Sequence, residues 1–249
     1  MNIVVFDTET TSLEKPFCYN IGYVIANTDN GEVYCKKDFV VEQVWHNPML
    51  FTTAYYADKR PLYVTAMRAH KSNLNKFGHI CQAMIRDFKA YNVEGAYAYN
   101  SPFDDKVFTF NCDWFKCNNP FDNIPIFDIR GYAHEFIVND TFKEFCDEHE
   151  YYTATGNYST TAETLYRYLT RDNEFVEAHT ALADSEIEFE ILFNCLLSGA
   201  KINTEYKPKL SIKKEVTKNL KVITSTNEVY DFEYNSIRIN SAKTEIKLR

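Results

Sequence analysis

Asp7-Thr8-Glu9 sets two carboxylates two residues apart, directly after the apolar, β-branched run Ile3-Val4-Val5-Phe6. Such a run reads as a buried central strand, and the two-residue period of a strand turns Asp7 and Glu9 to one face. Carboxylates held that close repel each other unless a cation lies between them, which suits a hard divalent metal with oxygen ligands. In a chain with 35 Asp and Glu, such a pair also serves as plain solvated turn acids. A second group, Asn100-Ser101-Pro102-Phe103-Asp104, follows a predicted strand and precedes a predicted helix, so Asp104 is expected at a strand end. Turn and cap duties are the alternative for Asn100 and Asp104. A third, His179-Thr180-Ala181-Leu182-Ala183-Asp184, puts Asp184 inside a helix and His179 just before it or in its first turn. Imidazole, with an ordinary pKa of about 6.5, can take a proton from water near neutral pH, although a lone histidine at a helix start also has purely structural uses.

These groups need elements to position them. Asn20–Ala26 and Glu32–Val41 are β-rich and flank Asn27-Thr28-Asp29-Asn30-Gly31, which predicts a hairpin after the first strand. Phe77, Ile80, Met84, Ile85 and Phe88 recur at helical spacing. Strand Ala96–Tyr99, helix Asp104–Phe110 and strand Ile126–Asp128 then make a parallel βαβ unit. Ser159–Leu169 reads as a helix capped by Ser159 or Thr160, and Ala181–Leu197 as a longer one ended by Ser198-Gly199. The class is therefore α/β. Short strands predicted at Lys221–Thr224, Val229–Tyr234 and Ile237–Ile239 form a small β-rich appendage, with domains expected at 1–199 and 200–249.

Length and composition allow a full core: 249 residues, 45% of them hydrophobic. The start of the chain lacks the basic and apolar stretches of a signal peptide, and no apolar run reaches bilayer length, so a soluble, intracellular protein is expected. Heavy use of Asn, Tyr, Phe and Lys suggests an AT-rich coding genome and hence a bacterial cytoplasm or a phage-infected cell. The seven scattered cysteines, without a Cys-x-x-Cys pair, read as packing residues in a reducing compartment. A net charge of −8 argues against a polyanionic partner on average. Residues 201–249, however, hold eleven Lys or Arg against six Asp or Glu, so the tail is locally basic.

In order and spacing, Phe6-Asp7-Thr8-Glu9-Thr10-Thr11-Ser12-Leu13, Asn100-x-x-Phe103-Asp104 and His179-x-x-x-x-Asp184 resemble the three motifs of the DEDDh, or DnaQ-like, exonucleases. The resemblance spans roughly residues 3–195. It implies a ribonuclease H-like fold, a five-stranded mixed sheet flanked by helices, with acids drawn from the first strand, the fourth strand and the last helix. It implies metal ligands at Asp7, Glu9, Asp104 and Asp184, a general base at His179, and two Mg²⁺ or Mn²⁺ ions serving 3′→5′ hydrolysis to nucleoside 5′-monophosphates. It also points to Thr10, Leu13, Asn100 and Phe103 as substrate contacts, though Leu13 and Phe103 serve equally well as core. Single-stranded DNA is the expected substrate and a replication protein the expected partner. RNA is the second expectation, and a non-catalytic module binding a 3′ end or a polymerase is the third.

Two positions depart from the family pattern: Ser12 stands where relatives often carry Gly, and Tyr99 where many carry His. Residues 42–76 show no counterpart of the apolar segment that positions the terminal nucleotide in proofreading relatives. Trp45, Tyr55, Tyr56 and Tyr63, interleaved with Lys59, Arg60 and Arg68, read either as a stacking platform for a single strand or as core with surface cations. Lys207, Lys209, Lys213, Lys214, Lys218 and Lys221 offer either backbone contacts or a solvated surface.

Overall fold

In the computed structural model, residues 1–201 are described in full, together with the backbone of two strands at 218–223 and 229–234. The chain divides into two units, Met1–Glu150 with Thr160–Leu210, and Tyr151–Ser159 with Ser211–Arg249.

The first unit is built on a meander. Strands β1 (Asn2–Thr10), β2 (Cys18–Asn27) and β3 (Val33–Val41) pair antiparallel in succession, with Asp7 opposite Gly22 and Glu9 opposite Asn20. The turn between β2 and β3 closes at Gly31, whose φ of +72° favours a residue without a side chain. Strand β4 (Asn73–Asn75) adds parallel to β3, β5 (Gly95–Ala98) parallel to β1, and β6 (Ile126–Asp128) parallel to β5. The mixed sheet therefore has the order β4-β3-β2-β1-β5-β6, and the short β4 makes it six-stranded rather than five. Ile3, Val4, Val5 and Phe6 are fully buried, as befits a central strand covered on both faces.

Helices α1 (Glu42–Trp45), α2 (Pro48–Phe51) and α3 (Arg60–Arg68) lie between β3 and β4. Helices α4 (Phe77–Ala90) and α5 (Pro102–Phe115) flank β5 in the chain, and α6 (Ile129–Ile137), α7 (Asp140–Glu148), α8 (Ala162–Thr170) and α9 (Ala181–Leu197) complete the set among the described residues. Val4 and Phe6 of β1, with Tyr19, Ile21, Tyr23 and Ile25 of β2, join Phe77, Ile80, Met84 and Phe88 of α4 and Val107 and Phe108 of α5 in one core. Phe6 stacks on Phe121 at 4.3 Å and meets Phe108 edge-on at 5.8 Å. Alternation then sends Ile3, Val5, Asp7 and Glu9 to the opposite face, where α9 packs across β1 and β2. None of the described helices is long and apolar enough to cross a membrane.

Two sequence expectations about individual elements need correction. Asp104 sits in the first turn of α5 rather than at a strand end, because Pro102 starts the helix two residues earlier. Helix α8 begins at Ala162, capped by Thr161, whose hydroxyl accepts from the Thr164 N–H; neither Ser159 nor Thr160 does this. Residues 42–68, to which the sequence pattern assigns no element, hold three short helices seated on an aromatic cluster of Tyr19, Trp45, Phe51 and Tyr63.

In the second unit, β7 (Lys218–Ile223) and β8 (Val229–Tyr234) pair antiparallel, with Lys218 opposite Tyr234. Tyr152 and Tyr158 form an isolated antiparallel bridge. The strand expected at Ile237–Ile239 and the lysine side chains of the tail lie outside the described residues.

Candidate active site

The site exists because α9 can touch the sheet at Gly22. A Cβ there would lie 2.1 Å from the backbone of Ala181 and Leu182, so no other residue admits the helix this close. Two side chains dock its first turn. Buried Asn20 accepts from the Ala181 N–H at 2.8 Å, the cap that Thr180 does not supply, and its amide donates to Asp38 and to the Phe39 carbonyl. Ser185 donates its hydroxyl to the Gly22 carbonyl at 3.1 Å. Gly22 faces Asp7 across the ladder, so this docking delivers Asp184 to the two acids of β1.

Carboxylate oxygens of Asp7, Glu9 and Asp184 all lie within 4.8 Å of one another. Asp104, almost fully buried, stands beside this triad; Thr8, on the other face of β1, donates to its carboxylate at 2.6 Å. Burial pushes Asp7 up to about 7, while burial and then the Asp7 charge push Glu9 to about 9 and Asp184 to about 10. The same two causes hold Asp104 well above the usual carboxylate range. Asp184 Oδ1 is buried without a hydrogen-bond partner. An orphaned acceptor facing two further carboxylates is a donor set that a divalent cation would complete.

His179 precedes α9 with a φ of +53°, a left-handed conformation that His tolerates better than most residues. Its ring stacks on Tyr56 at 4.4 Å with planes 13° apart, and Lys59 donates to the adjacent Ala178 carbonyl at 3.0 Å. Burial, then the Lys59 charge, lowers its pKa, so the imidazole is neutral at neutral pH and free to accept a proton.

Two acids join the site that the motifs had not singled out. Glu177 Oε2 lies 3.5 Å from His179 Nδ1, and Glu177, His179 and Asp184 also gather within 4.8 Å. Burial followed by the Asp7 charge holds Glu177 up to about 7. Glu188, one helical turn beyond Asp184, accepts from the Tyr99 N–H at 3.0 Å, and burial keeps it well above the usual range. Its spacing of four from Asp184 was the available signal, since such residues share a helix face. Tyr99 also donates its hydroxyl to the Thr160 carbonyl at 2.7 Å.

A cleft of about 460 Å³ opens beside Glu9, lined by residues 8–13, Thr53, Tyr55, Tyr56 and Phe103. Leu13 is 74% exposed, which removes it from the core, and its carbonyl is held by Lys106 at 2.9 Å. Phe103 is half-buried at the start of α5, and Thr10 closes β1 at the same cleft. Asn100 has a φ of +67° and donates its N–H to Asp128, so its backbone shapes the turn before α5. The aromatic and basic run at 45–68 divides: Trp45 and Tyr63 are core, with Arg60 over the Trp45 ring at 4.6 Å, whereas Tyr55 is 88% exposed at the cleft.

No family model matches the chain, and no curated sequence matches it. Solved structures do. The nuclease domain of 3′hExo, a DEDDh family member bound to rAMP, superposes with a TM-score of 0.56 at 16% identity, covering 81% of this chain and 96% of that one. A 3′-exonuclease recognising the 3′ end of the histone mRNA stem-loop gives 0.57 at 12% identity, covering 97% and 92%. A full-length 3′-exonuclease gives 0.53 at 12% identity, covering 100% and 93%. The chain thus has the ribonuclease H-like fold of the DEDDh exonucleases.

Proposed function

We propose that this protein is a metal-dependent 3′→5′ exonuclease acting on single-stranded nucleic acid. The observation that carries the reading is the convergence of Asp7, Glu9 and Asp184 within 4.8 Å, with the buried, unpartnered Asp184 Oδ1 among them. Asp7, Glu9 and Asp184 would hold the metal, with Asp104 beside them. Two Mg²⁺ or Mn²⁺ ions bound there would offset the crowded negative charge and stabilise charge on the phosphate oxygens.

Every other task falls to the chain. Glu177 beside Nδ1 favours the tautomer with its proton on that nitrogen, leaving Nε2 of His179 to take a proton from the attacking water. Water adds to phosphorus, the bond to the 3′ oxygen breaks, and a nucleoside 5′-monophosphate leaves. Leu13 and Phe103 supply apolar walls for the terminal base and sugar, and Thr10 and the Asn100 turn frame the cleft. Tyr55, exposed at the mouth, offers a stacking surface for the next base.

Single-stranded DNA is the substrate we favour. RNA is the second reading, supported by the relatives bound to rAMP and to an mRNA stem-loop. A time course of wild type and Asp7→Ala on 5′-labelled DNA and RNA, with Mg²⁺, Mn²⁺ or EDTA, tests both. The expected result is a ladder shortening from the 3′ end, dependent on metal and absent in the variant, with the faster polymer naming the substrate. No metal-dependent shortening of either polymer would overturn the assignment and favour a non-catalytic 3′-end-binding module.

A further inference from the structure

Away from the carboxylates, three thiols meet between α4 and the end of α5. The Sγ atoms of Cys81, Cys112 and Cys117 all lie within 4.8 Å of one another, and none is in a disulfide. Two local features bring them together. Helix α5 ends at Lys116 with a φ of +56°, and this left-handed cap turns the chain back so that the Cys117 N–H donates to the Cys112 carbonyl at 3.1 Å. On α4, Gly78 leaves room for Cys117, whose Cβ would sit 3.3 Å from any Cβ placed there, and Cys81 follows three residues later on the same face. Cys81 and Cys112 are buried, whereas Cys117 is partly exposed and provides an entry path.

The geometry points to a binding site for one soft, thiophilic metal ion held by three cysteine sulfurs, with monovalent copper as the ion that best matches the set. Metal–thiolate bonds of about 2.3 Å place three sulfurs around a trigonal ion about 4 Å apart, so the observed cluster needs to contract by less than about 1 Å. Among the described residues no His, Asp or Glu completes the set, which favours an ion content with three soft ligands over a four-coordinate one. Cys112 lies eight residues along α5 from Asp104, about 12 Å of helix rise, so this site is separate from the hard-metal carboxylates.

The reduced full-length protein would be titrated anaerobically with Cu(I) against a chromophoric Cu(I) chelator, alongside Cys117→Ser and Cys112→Ala. Thiols that survive alkylation would then be mapped by mass spectrometry. The expected result is one ion per chain retained against the chelator, protection of Cys81, Cys112 and Cys117 together, and loss of the retained ion in both variants. Circular dichroism checks that the variants fold; Cys117→Ser, at a partly exposed position, carries the test if Cys112→Ala does not. Copper surrendered equally by wild type and Cys117→Ser, or protection of other thiols, would overturn the site. Retention of Zn²⁺ rather than Cu(I) by these three sulfurs would overturn the three-coordinate assignment. None of these readouts depends on nuclease activity, so the two proposals fail separately.

Discussion

At the scale of single residues, the proposed chemistry depends on one neutral imidazole and a crowd of acids. His179→Ala, which removes the base and leaves the carboxylates intact, is expected to lower kcat by about 10²–10⁴-fold, the usual contribution of a positioned general base; single-turnover rates on a labelled oligonucleotide check it. Asp184→Asn is expected to abolish metal-dependent turnover, and wild-type rates in that variant would sink the ligand assignment. Tyr56 holds the His179 ring by stacking, and such pairs are worth about 0.5–1.5 kcal/mol. Tyr56→Ala should therefore slow kcat several-fold with the fold retained, whereas an effect on KM alone would mean that Tyr56 serves substrate binding only.

At the scale of elements, the critical contact is α9 against β2. Gly22→Ala would drive a methyl group into the Ala181–Leu182 backbone, which cannot rotate away as a side chain could. The expected cost is about 3 kcal/mol or more, the upper part of the overpacking range, read from urea denaturation. The folded fraction should also bind divalent metal more weakly, because the displaced helix carries Asp184. Unchanged metal affinity in a destabilised variant would show that the site tolerates movement of α9.

For the whole molecule, the buried acids couple metal binding to stability. Asp7 and Glu177 are held up to about 7, Glu9 to about 9 and Asp184 to about 10, with burial as the main cause in each. Unfolded, these groups ionise near about 4. Between those limits these four acids bind more protons in the folded, metal-free chain than in the unfolded chain, so their contribution to stability is fully present at low pH and is lost as pH rises through about 7 to about 10. Thermal melts in EDTA should show Tm falling between about pH 5 and about pH 9, and Mg²⁺ should raise Tm most at the alkaline end. A Tm independent of pH in EDTA would argue that the acids are not crowded as described.

The sequence by itself determined the strand that carries Asp7 and Glu9 and the helix that carries Asp184, because an apolar β-branched run and a long apolar helix announce themselves through local pattern. It also determined the order of the motifs. Helices α1 to α3 stayed hidden because two of them span only four residues each, too short for a helical period, and they are held by Phe51 and Tyr63 packing on Tyr19, with Trp45 packed against both of those rings. Glu177, the thiol cluster and the division of the aromatic run into core and cleft were decided only by tertiary structure. Proximity across elements, such as Asn20 capping a helix 161 residues away, leaves no mark in local spacing. Residue type and period fix which face a side chain takes, and only the packing of one face on another fixes what it meets.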